Sequence, residues 1–309
     1  MSYTRATARA QTETTTTQPP SHKNIVFIHG LGATKDFWTP LISPSPKFPV
    51  PDNTVLHTYD LEGHGLTPSH PLDRISIASL AADLAGVVLE KIEATANSPV
   101  HIIAHGLGCL VALKFAVHNP TLVWRLDLLG PPPPEVHDET RLELFDRAAL
   151  VRVLGMLGVV DSVMAETLTA QDGDGVMKKK TKANPLIESA VRLSLLGQDP
   201  EGYAKGLEAL ARCSDGDGQG LSVDEVKKVS CTILANIPRA QHGRTSEDIA
   251  ESWKALWDCR VAHVELESGY WAVFEDVEDV ANIIGLFDWT SGELEKATEK
   301  SAENIESFK

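Results

Sequence analysis

The sequence is poor in the residues that stabilise small secreted scaffolds. Its 309 residues include four cysteines, which are Cys109, Cys213, Cys231 and Cys259. They are widely spaced and form no Cys-x-x-Cys pair, which argues against a disulfide framework and against a cysteine-based zinc site. We therefore expect reduced thiols and a fold held together by its own core. We expect no metal ion and no cofactor.

Long apolar runs and positive charge are also lacking. No apolar run approaches the ~20 residues that a membrane-spanning helix needs, and the N-terminus has no apolar signal-peptide core. With 28 Lys and Arg against 43 Asp and Glu, the net charge is −15, which repels nucleic-acid phosphates and anionic lipid. We predict a cytoplasmic protein, monomeric or homodimeric, whose partner is a small apolar molecule and neither nucleic acid nor membrane.

Short apolar runs alternate with helical patterns in the first half of the chain. This alternation predicts an α/β fold with a mostly parallel central sheet flanked by helices, in which sites lie at the carboxyl ends of the strands. The predicted strands are 24–29, 54–60, 100–104 and 123–129, and the predicted helices are 76–94 and 107–118.

The pattern changes after the four prolines at 131–134. Residues 135–228 show helical segments only, and we predict that they form a helical cap inserted into the core. The sheet resumes with strands at 231–236 and 261–267, followed by a closing helix. The predicted organisation is a Thr-rich arm or edge strands at 1–22, a core at 23–134 and 229–289, the cap at 135–228, and a charged tail at 290–309.

The segment IIAHGLGC, residues 102–109, carries the most information about function. A strand that enters a helix through a tight turn with small neighbours is the element that presents a catalytic serine, in the pattern G-x-S-x-G. Ala104 and Gly108 supply the small neighbours, but Gly106 occupies the central position. Glycine tolerates the strained backbone and offers no oxygen. No acyl-enzyme can therefore form at Gly106.

Four segments together carry a family resemblance. They are HGLGATKDFW at 29–38, DLEGHG at 60–65, AHGLGC at 104–109 and SGYWAVFED at 268–276. Over roughly residues 23–289 the chain resembles the α/β-hydrolase superfamily, and it is most similar to fungal enol-lactonase-like and esterase-like members. The resemblance implies a catalytic triad of serine, histidine and acid.

The chain departs from that family pattern at all three triad positions. Tyr270 stands where the family has its histidine, with Glu275 at the expected distance. The turn that usually holds the acid, 235–239, contains no carboxylate, and the nearest are Glu247 and Asp248. The alternative acid position holds Gly130 and the prolines. Because triad members act as a unit, three losses favour natural loss over an engineered Ser→Gly change.

The resemblance also implies groups that would survive the loss of the triad. Backbone N–H groups of Leu31 and Leu107 would form an oxyanion hole, which needs no particular side chain; alternatively, the glycines beside them serve only the fold. Tyr270 is either a general acid or oxyanion donor or a space-filling residue. His105 and His29 are either bases, since histidine titrates near neutrality, or structural residues.

A second set of side chains is assigned to substrate binding. The candidates are Trp38, Tyr203, Trp271 and Arg239. For the aromatic members the alternative is ordinary core packing.

Three functions remain open on the sequence. The first is an enzyme that catalyses a cyclisation, isomerisation, pericyclic or aldol-type step on a small apolar, carbonyl-bearing metabolite, in fungal secondary metabolism by resemblance. Such steps gain from orientation and oxyanion stabilisation without a covalent intermediate. The second is a ligand-binding pseudoenzyme or receptor, and the third is an ester or lactone hydrolase inactivated at Gly106.

Overall fold

A central sheet of seven strands organises the chain in this computed structural model. In chain order, the strands of the protein are β1 Tyr3–Thr7, β2 Asn24–Ile28, β3 Val55–Tyr59, β4 Val100–His105, β5 Val123–Leu129, β6 Thr169–Gln171, β7 Met177–Lys179, β8 Thr232–Pro238, β9 Ala240–Gln241, β10 Arg244–Thr245 and β11 Val261–Leu266. The central sheet has the order β1-β3-β2-β4-β5-β8-β11. Strand β1 runs antiparallel to β3, and the other five pairings are parallel.

Helices cover the sheet and confirm the predicted α/β class. They are α1 Thr39–Ile42, α2 Ile77–Gly86, α3 Leu107–His118, α4 Asp138–Leu154, α5 Val160–Thr167, α6 Pro185–Leu196, α7 Pro200–Ala211, α8 Val223–Val226, α9 Ala272–Glu275 and α10 Val277–Gly285. Short 3-10 turns lie at Lys35–Trp38 and Met156–Gly158. The structure describes residues 2–7, 23–50, 53–133, 135–171, 177–179, 184–215, 219–229, 231–238, 240–241, 244–245, 251–253, 261–266 and 269–285. Within these ranges, no helix has the length and apolar composition to cross a bilayer.

The order of the strands reverses at β2. The chain leaves β2 for β3 on one side and later returns to β4 on the other. In open α/β sheets a crevice forms at such a switch point, outside the carboxyl ends of the two strands. The segments that follow β2 and β4, His29–Gly30 and Gly106, therefore face each other across that crevice.

Glycine at 108 allows α3 to start directly against β2. A Cβ at Gly108 would lie 2.7 Å from the carbonyl oxygens of both Ile28 and His29, closer than such contacts occur. Ten consecutive residues of α3, from Leu107 to Ala116, are buried. The lack of a side chain at Gly108 therefore allows α3 to begin beside the crevice.

The insertion between β5 and β8 contains helices α4 to α8, with α4 packed along α7. It packs on the core partly through main-chain contacts between two glycines. A Cβ at Gly202 of α7 would lie 2.2 Å from the carbonyl oxygen of Gly63, and one at Gly63 would lie 2.9 Å from Cα of Gly202. The side chains of Ser194 and Gln198 add hydrogen bonds of 2.9 and 3.1 Å to the carbonyl oxygen of Gly32.

Two sequence-based predictions of secondary structure are wrong in part. Residues 135–228 are not helical alone, because β6 and β7 pair as a two-stranded antiparallel sheet. The helix predicted over 76–94 is α-helical to Gly86 and continues as a wider π-type turn at Val87–Lys91. Of the alternatives for 1–22, Tyr3–Thr7 is an edge strand. Residues 8–22 and the predicted tail at 290–309 lie outside the described residues.

Candidate active site at the ends of strands β2 and β4

Gly106 adopts a backbone conformation that other residues rarely accept. Its φ is 51° and its ψ is −121°, in a region that is strained for any residue with a Cβ. Its N–H donates to the carbonyl oxygen of Leu129 at 3.0 Å, and its carbonyl oxygen accepts from the N–H of Cys109 at 2.9 Å. The tight turn predicted from the sequence is therefore present, with a glycine at its tip.

The hydroxyl of Tyr270 occupies the space into which a side chain at position 106 would project. A Cβ on Gly106 would lie 2.8 Å from Oη of Tyr270 and 3.2 Å from Cε2 of its ring. The same hydroxyl donates a hydrogen bond of 3.1 Å to the carbonyl oxygen of Leu31. The phenol thus joins the turn after β4 to the turn after β2.

Several hydrogen bonds hold the backbone of Tyr270 in place. The carboxylate of Glu275 accepts the N–H groups on both sides of it, from Gly269 at 2.8 Å and from Trp271 at 3.2 Å. The carbonyl oxygen of Tyr270 accepts Nε2–H of His105 at 2.6 Å. The phenol is therefore fixed from its main chain and from its hydroxyl.

His105 is a buried, neutral histidine. Burial lowers the pKa of its imidazole to about 4, against a smaller opposing effect of the bond to Tyr270. Its ring stacks on Phe37 at a centroid distance of 4.6 Å. With Nε2–H donated to Tyr270, Nδ1 carries the lone pair, and no hydrogen-bond partner for it is found among the described residues.

The absence of a side chain at Gly30 makes room for both functional groups. A Cβ there would lie 2.6 Å from Nδ1 of His105 and 2.7 Å from Oη of Tyr270. Nδ1 of His105 and the hydroxyl of Tyr270 therefore both lie close to the position that a Cβ at Gly30 would take. The sequence predicted both residues as candidates, and the structure brings them together.

His29 uses both of its ring nitrogens in the turn that follows β2. Its Nδ1–H donates to the carbonyl oxygen of Gly30 at 2.9 Å, and Nε2 accepts the N–H of Leu61 at 3.0 Å. Burial, followed by the nearby His64, lowers the pKa of His29 to about 3. These contacts favour the structural alternative for His29 over the catalytic one.

The backbone N–H groups of Leu31 and Leu107 belong to the two turns that the Tyr270 hydroxyl joins. Within the described part of the chain, neither N–H donates a hydrogen bond to a backbone acceptor. Leu107 opens the 12-residue helix α3, whose N-terminus adds partial positive charge. The arrangement suits an oxygen that develops negative charge, and the oxyanion-hole assignment stays a prediction.

The predicted substrate-binding residues fall in different surroundings. Trp38 is fully buried between Phe27 and Phe37, with ring centroids 5.2 and 5.0 Å away. Tyr203 and Trp271 lie over Gly32, whose Cβ would be 3.3 and 3.9 Å from their rings. Burial raises the pKa of Tyr203 to about 12. All three aromatic candidates are buried, since Trp38 and Trp271 are 0% and Tyr203 is 2% exposed, and their role in substrate binding stays a prediction.

Arg239 and the carboxylates Glu247 and Asp248 lie outside the described residues. The loss of the triad's acid therefore stays a prediction from sequence.

A link between the crevice and the cap was not predicted. Nε1–H of Trp271 donates to Oγ1 of Thr167, the last residue of α5, at 2.9 Å. The two residues are separated by 104 positions, and neither lies in a motif that would pair them. Among the described residues no group of three or more His, Cys, Asp or Glu side chains is arranged to hold a metal ion.

Substituting Gly106→Ala is expected to destabilise the protein by about 3 kcal/mol, from backbone strain and from displacement of the Tyr270 ring. Urea unfolding measures the change. Gly155→Ala is the matched control, because Gly155 also has a positive φ, of 68°, but nothing lies within 4 Å of its Cβ position. In a Tyr270→Ala background the cost of Gly106→Ala should fall by at least ~1 kcal/mol. Equal costs in both backgrounds would show that the phenol does not fill this space.

The sequence model of the protein family described as "Alpha/beta hydrolase family" matches residues 25–283 of this chain. A sequence relative is the Arabidopsis thaliana protein named "Probable lysophospholipase BODYGUARD 2", which is 35% identical over 119 residues. That match covers 37% of this chain and 25% of the relative. The chain thus spans about a quarter of that relative's length.

Two solved structures show the same fold. An esterase from Thermogutta terrifontis superimposes with a TM-score of 0.70 at 17% identity, covering 91% of each chain. The enol-lactonase from Burkholderia xenovorans superimposes with a TM-score of 0.68 at 17% identity, covering 91% of this chain and 96% of that one. These likenesses confirm the predicted α/β-hydrolase fold. The fungal branch and the loss of the triad stay predictions.

Proposed function

Because the chain belongs to the alpha/beta hydrolase family, we propose that it is an enzyme that has exchanged hydrolysis for a proton-assisted step on a small, apolar, carbonyl-bearing molecule. The observation that carries the proposal is the position of the Tyr270 hydroxyl, 2.8 Å from where a Cβ at Gly106 would stand. The hydroxyl of Tyr270, which can donate a hydrogen bond, therefore lies where the family pattern has the serine hydroxyl that attacks a carbonyl carbon.

Covalent catalysis at this turn has no nucleophile. Gly106 has no side chain, and the nearby thiol of Cys109 is fully buried, with Sγ directed at the carbonyl oxygens of Ala104 and Leu129 at 3.4 and 3.5 Å. Burial raises the pKa of that thiol well above its usual range, so the reactive thiolate is disfavoured. An acyl-enzyme mechanism is therefore not what these residues support.

Tyr270 keeps the proton that a hydrogen-bond donor to an oxyanion needs. Burial, with a smaller contribution from the nearby Tyr203, raises the pKa of its phenol far above the ordinary value, so that the proton is retained at neutral pH. The hydroxyl that donates to Leu31 can donate instead to a substrate carbonyl or enolate oxygen, alongside the N–H groups of Leu31 and Leu107.

The reaction class follows from this chemistry. A cyclisation, isomerisation, pericyclic or aldol-type step gains from stabilisation of an oxyanion and from orientation, and needs no covalent intermediate. The names of the relatives, esterase and enol-lactonase, denote ester and lactone substrates, which supports a carbonyl-bearing substrate here. We place the reaction in the cytoplasm and, from the sequence resemblance, in fungal secondary metabolism.

One observation favours a second function, that of a ligand-binding pseudoenzyme. The Tyr270 hydroxyl is already donated to the carbonyl oxygen of Leu31, as expected of a residue that only closes the crevice. The third alternative, a hydrolase inactivated by Ser→Gly at Gly106, requires a serine side chain in the volume that the phenol fills.

Tyr270→Phe is expected to lower turnover about 100-fold and to leave ligand affinity nearly unchanged, since the ring stays and only the acidic proton is lost. The assay incubates the purified chain with a panel of small ketoesters, enones and lactones, and identifies products by mass spectrometry. Our proposal requires products whose combined mass equals that of the substrates, whereas hydrolysis adds one water.

The matched control is Tyr59→Phe, which removes another buried phenol hydroxyl, on β3, and should leave turnover unchanged. Binding without turnover in the unmodified chain would identify the pseudoenzyme. Ester hydrolysis by Gly106→Ser/Tyr270→His, in a chain otherwise without activity, would identify the inactivated hydrolase.

A further inference from the structure

The last residue of α5 lies against the segment that carries Tyr270. Nε1–H of Trp271 donates to Oγ1 of Thr167 at 2.9 Å, and the carbonyl oxygen of Thr167 lies 3.1 Å from where a Cβ at Gly269 would stand. Gly269 and Trp271 are the two chain neighbours of Tyr270. One residue of the insertion between β5 and β8 therefore approaches the segment that holds the phenol on both sides of Tyr270.

The hydroxyl of Thr167 acts as an acceptor for the indole of Trp271. Its own proton is donated to the carbonyl oxygen of Val163, one turn earlier in α5, at 2.7 Å, which leaves its lone pairs for the indole N–H. Trp271 is fully buried, and a buried N–H that loses its acceptor costs more than the bond itself contributes. The bond to Thr167 therefore sets the direction of the indole ring.

The indole ring in turn packs against the phenol. The rings of Tyr270 and Trp271 meet edge to face, with centroids 5.4 Å apart and planes at 83°. The indole also lies parallel to the ring of Phe274, at a centroid distance of 6.1 Å. A rotation of the indole would therefore change the surface against which the phenol packs.

This packing matters most when the hydroxyl of Tyr270 is in use. The hydrogen bonds from Glu275 and His105 hold the main chain around residue 270 but leave the side-chain torsions χ1 and χ2 free to change. Without substrate the hydroxyl is held by the carbonyl oxygen of Leu31. Under the proposed function the hydroxyl leaves that oxygen for the substrate, so that packing against neighbouring rings keeps the phenol over Gly106.

We propose that Thr167 is a positioning residue, which holds the phenol of Tyr270 over Gly106 through the indole of Trp271. The placement of the phenol is a property of the fold alone, whereas the effect of Thr167 on turnover rests on the proposed function. Two substitutions form a matched test. Thr167→Val keeps the size and branching of the side chain and removes the acceptor, whereas Thr167→Ser keeps the acceptor and removes a methyl group.

Without substrate, the ring resonances of Tyr270 report its surroundings in an NMR spectrum of the tyrosine-labelled chain. The chain has four tyrosines, and Tyr270→Phe identifies the signal. Thr167→Val is expected to shift these resonances, and Thr167→Ser to leave them nearly in place. Thr167→Val should also reduce, by at least ~3-fold, the factor by which Gly106→Ala raises the unfolding equilibrium constant in urea, because a loosened phenol yields to the new methyl group. Either an unshifted Tyr270 signal or an unchanged factor would overturn the proposal.

With the panel of ketoesters, enones and lactones, Thr167→Val is expected to lower kcat about 10-fold and to change KM by less than about 2-fold, and Thr167→Ser to restore kcat. In a Tyr270→Phe background Thr167→Val should cause no further loss, because the hydroxyl that it positions is gone. An unchanged kcat in Thr167→Val, where the unmodified chain turns over, would overturn the role of Thr167 in catalysis. No turnover by the unmodified chain would contradict the proposed function, and the measurements without substrate would still decide whether Thr167 positions the phenol.

Discussion

Acidification from pH 7 to about pH 4 should remove a large part of the folding free energy. Four of the five buried histidines among the described residues have a lowered pKa, namely His29, His64, His101 and His105. In each of them burial is the largest cause of a pKa below the ordinary value. The folded protein therefore holds all four in the neutral form at neutral pH.

The direction of the effect follows from which state binds protons first. As the pH falls through ~6.5, the histidines of the unfolded chain become charged. In the folded chain His105 stays neutral until about pH 4 and His29 until about pH 3. Stability is thus full above ~6.5 and declines as the pH falls toward the folded pKa values. For His105 alone the difference corresponds to about 3 kcal/mol, against a typical total of 5–15 kcal/mol.

Urea unfolding between pH 7 and pH 4 measures this dependence. His105→Gln keeps a side-chain N–H donor for the carbonyl oxygen of Tyr270 but cannot titrate, so its unfolding free energy should fall less steeply with pH, by close to one proton. A free energy of unfolding that is flat between pH 7 and pH 5, or an unchanged slope in His105→Gln, would contradict the assignment.

Asp127→Ala is expected to cost about 3–5 kcal/mol, because it leaves a buried arginine without its partner. Arg125 donates Nε–H and an Nη2–H to Oδ1 of Asp127, both at 2.9 Å, and Nε2–H of His101 donates to Oδ2 at 2.7 Å. Burial alone would raise the pKa of this carboxyl, but Arg125 and His101 outweigh burial and hold it below its usual range. The three side chains are at most 2% exposed.

Denaturant unfolding checks the prediction for Asp127. Asp161→Ala is the comparison, since the pair of Asp161 with Arg192 is exposed and such pairs contribute about 0–1 kcal/mol. If the two variants lose similar stability, the buried cluster is not the stabilising element that its geometry indicates.

The sequence predicted the scaffold well because the scaffold depends on local patterns. Helix α3 and strand β5 have the predicted bounds, since each is a mostly apolar, buried segment bounded by residues that end it. The two-stranded sheet of β6 and β7 was missed because three-residue strands carry no measurable periodicity.

The candidate site could be predicted as a set of positions but not as a geometry. The motifs singled out Gly106 and Tyr270 as positions that depart from the family pattern. That the phenol lies against Gly106 depends on contacts between residues more than 160 positions apart, including the bond from His105 to the carbonyl oxygen of Tyr270. Trp38 and Trp271 show the converse, because their motifs suggested crevice residues and both rings are buried in the core.

The contact between Gly63 and Gly202 limits how the cap of this chain can move relative to the core in descendant sequences. Where two main chains touch, no exchange of side chains can change their separation, so the position of α7 against the core is constant. Helix α6 contacts Gly32 through the side chain of Leu195 and through the amide of Gln198. Both side chains can be replaced by shorter or longer ones. Changes in substrate size among descendants of this sequence should therefore accumulate on α6 and leave α7 alone.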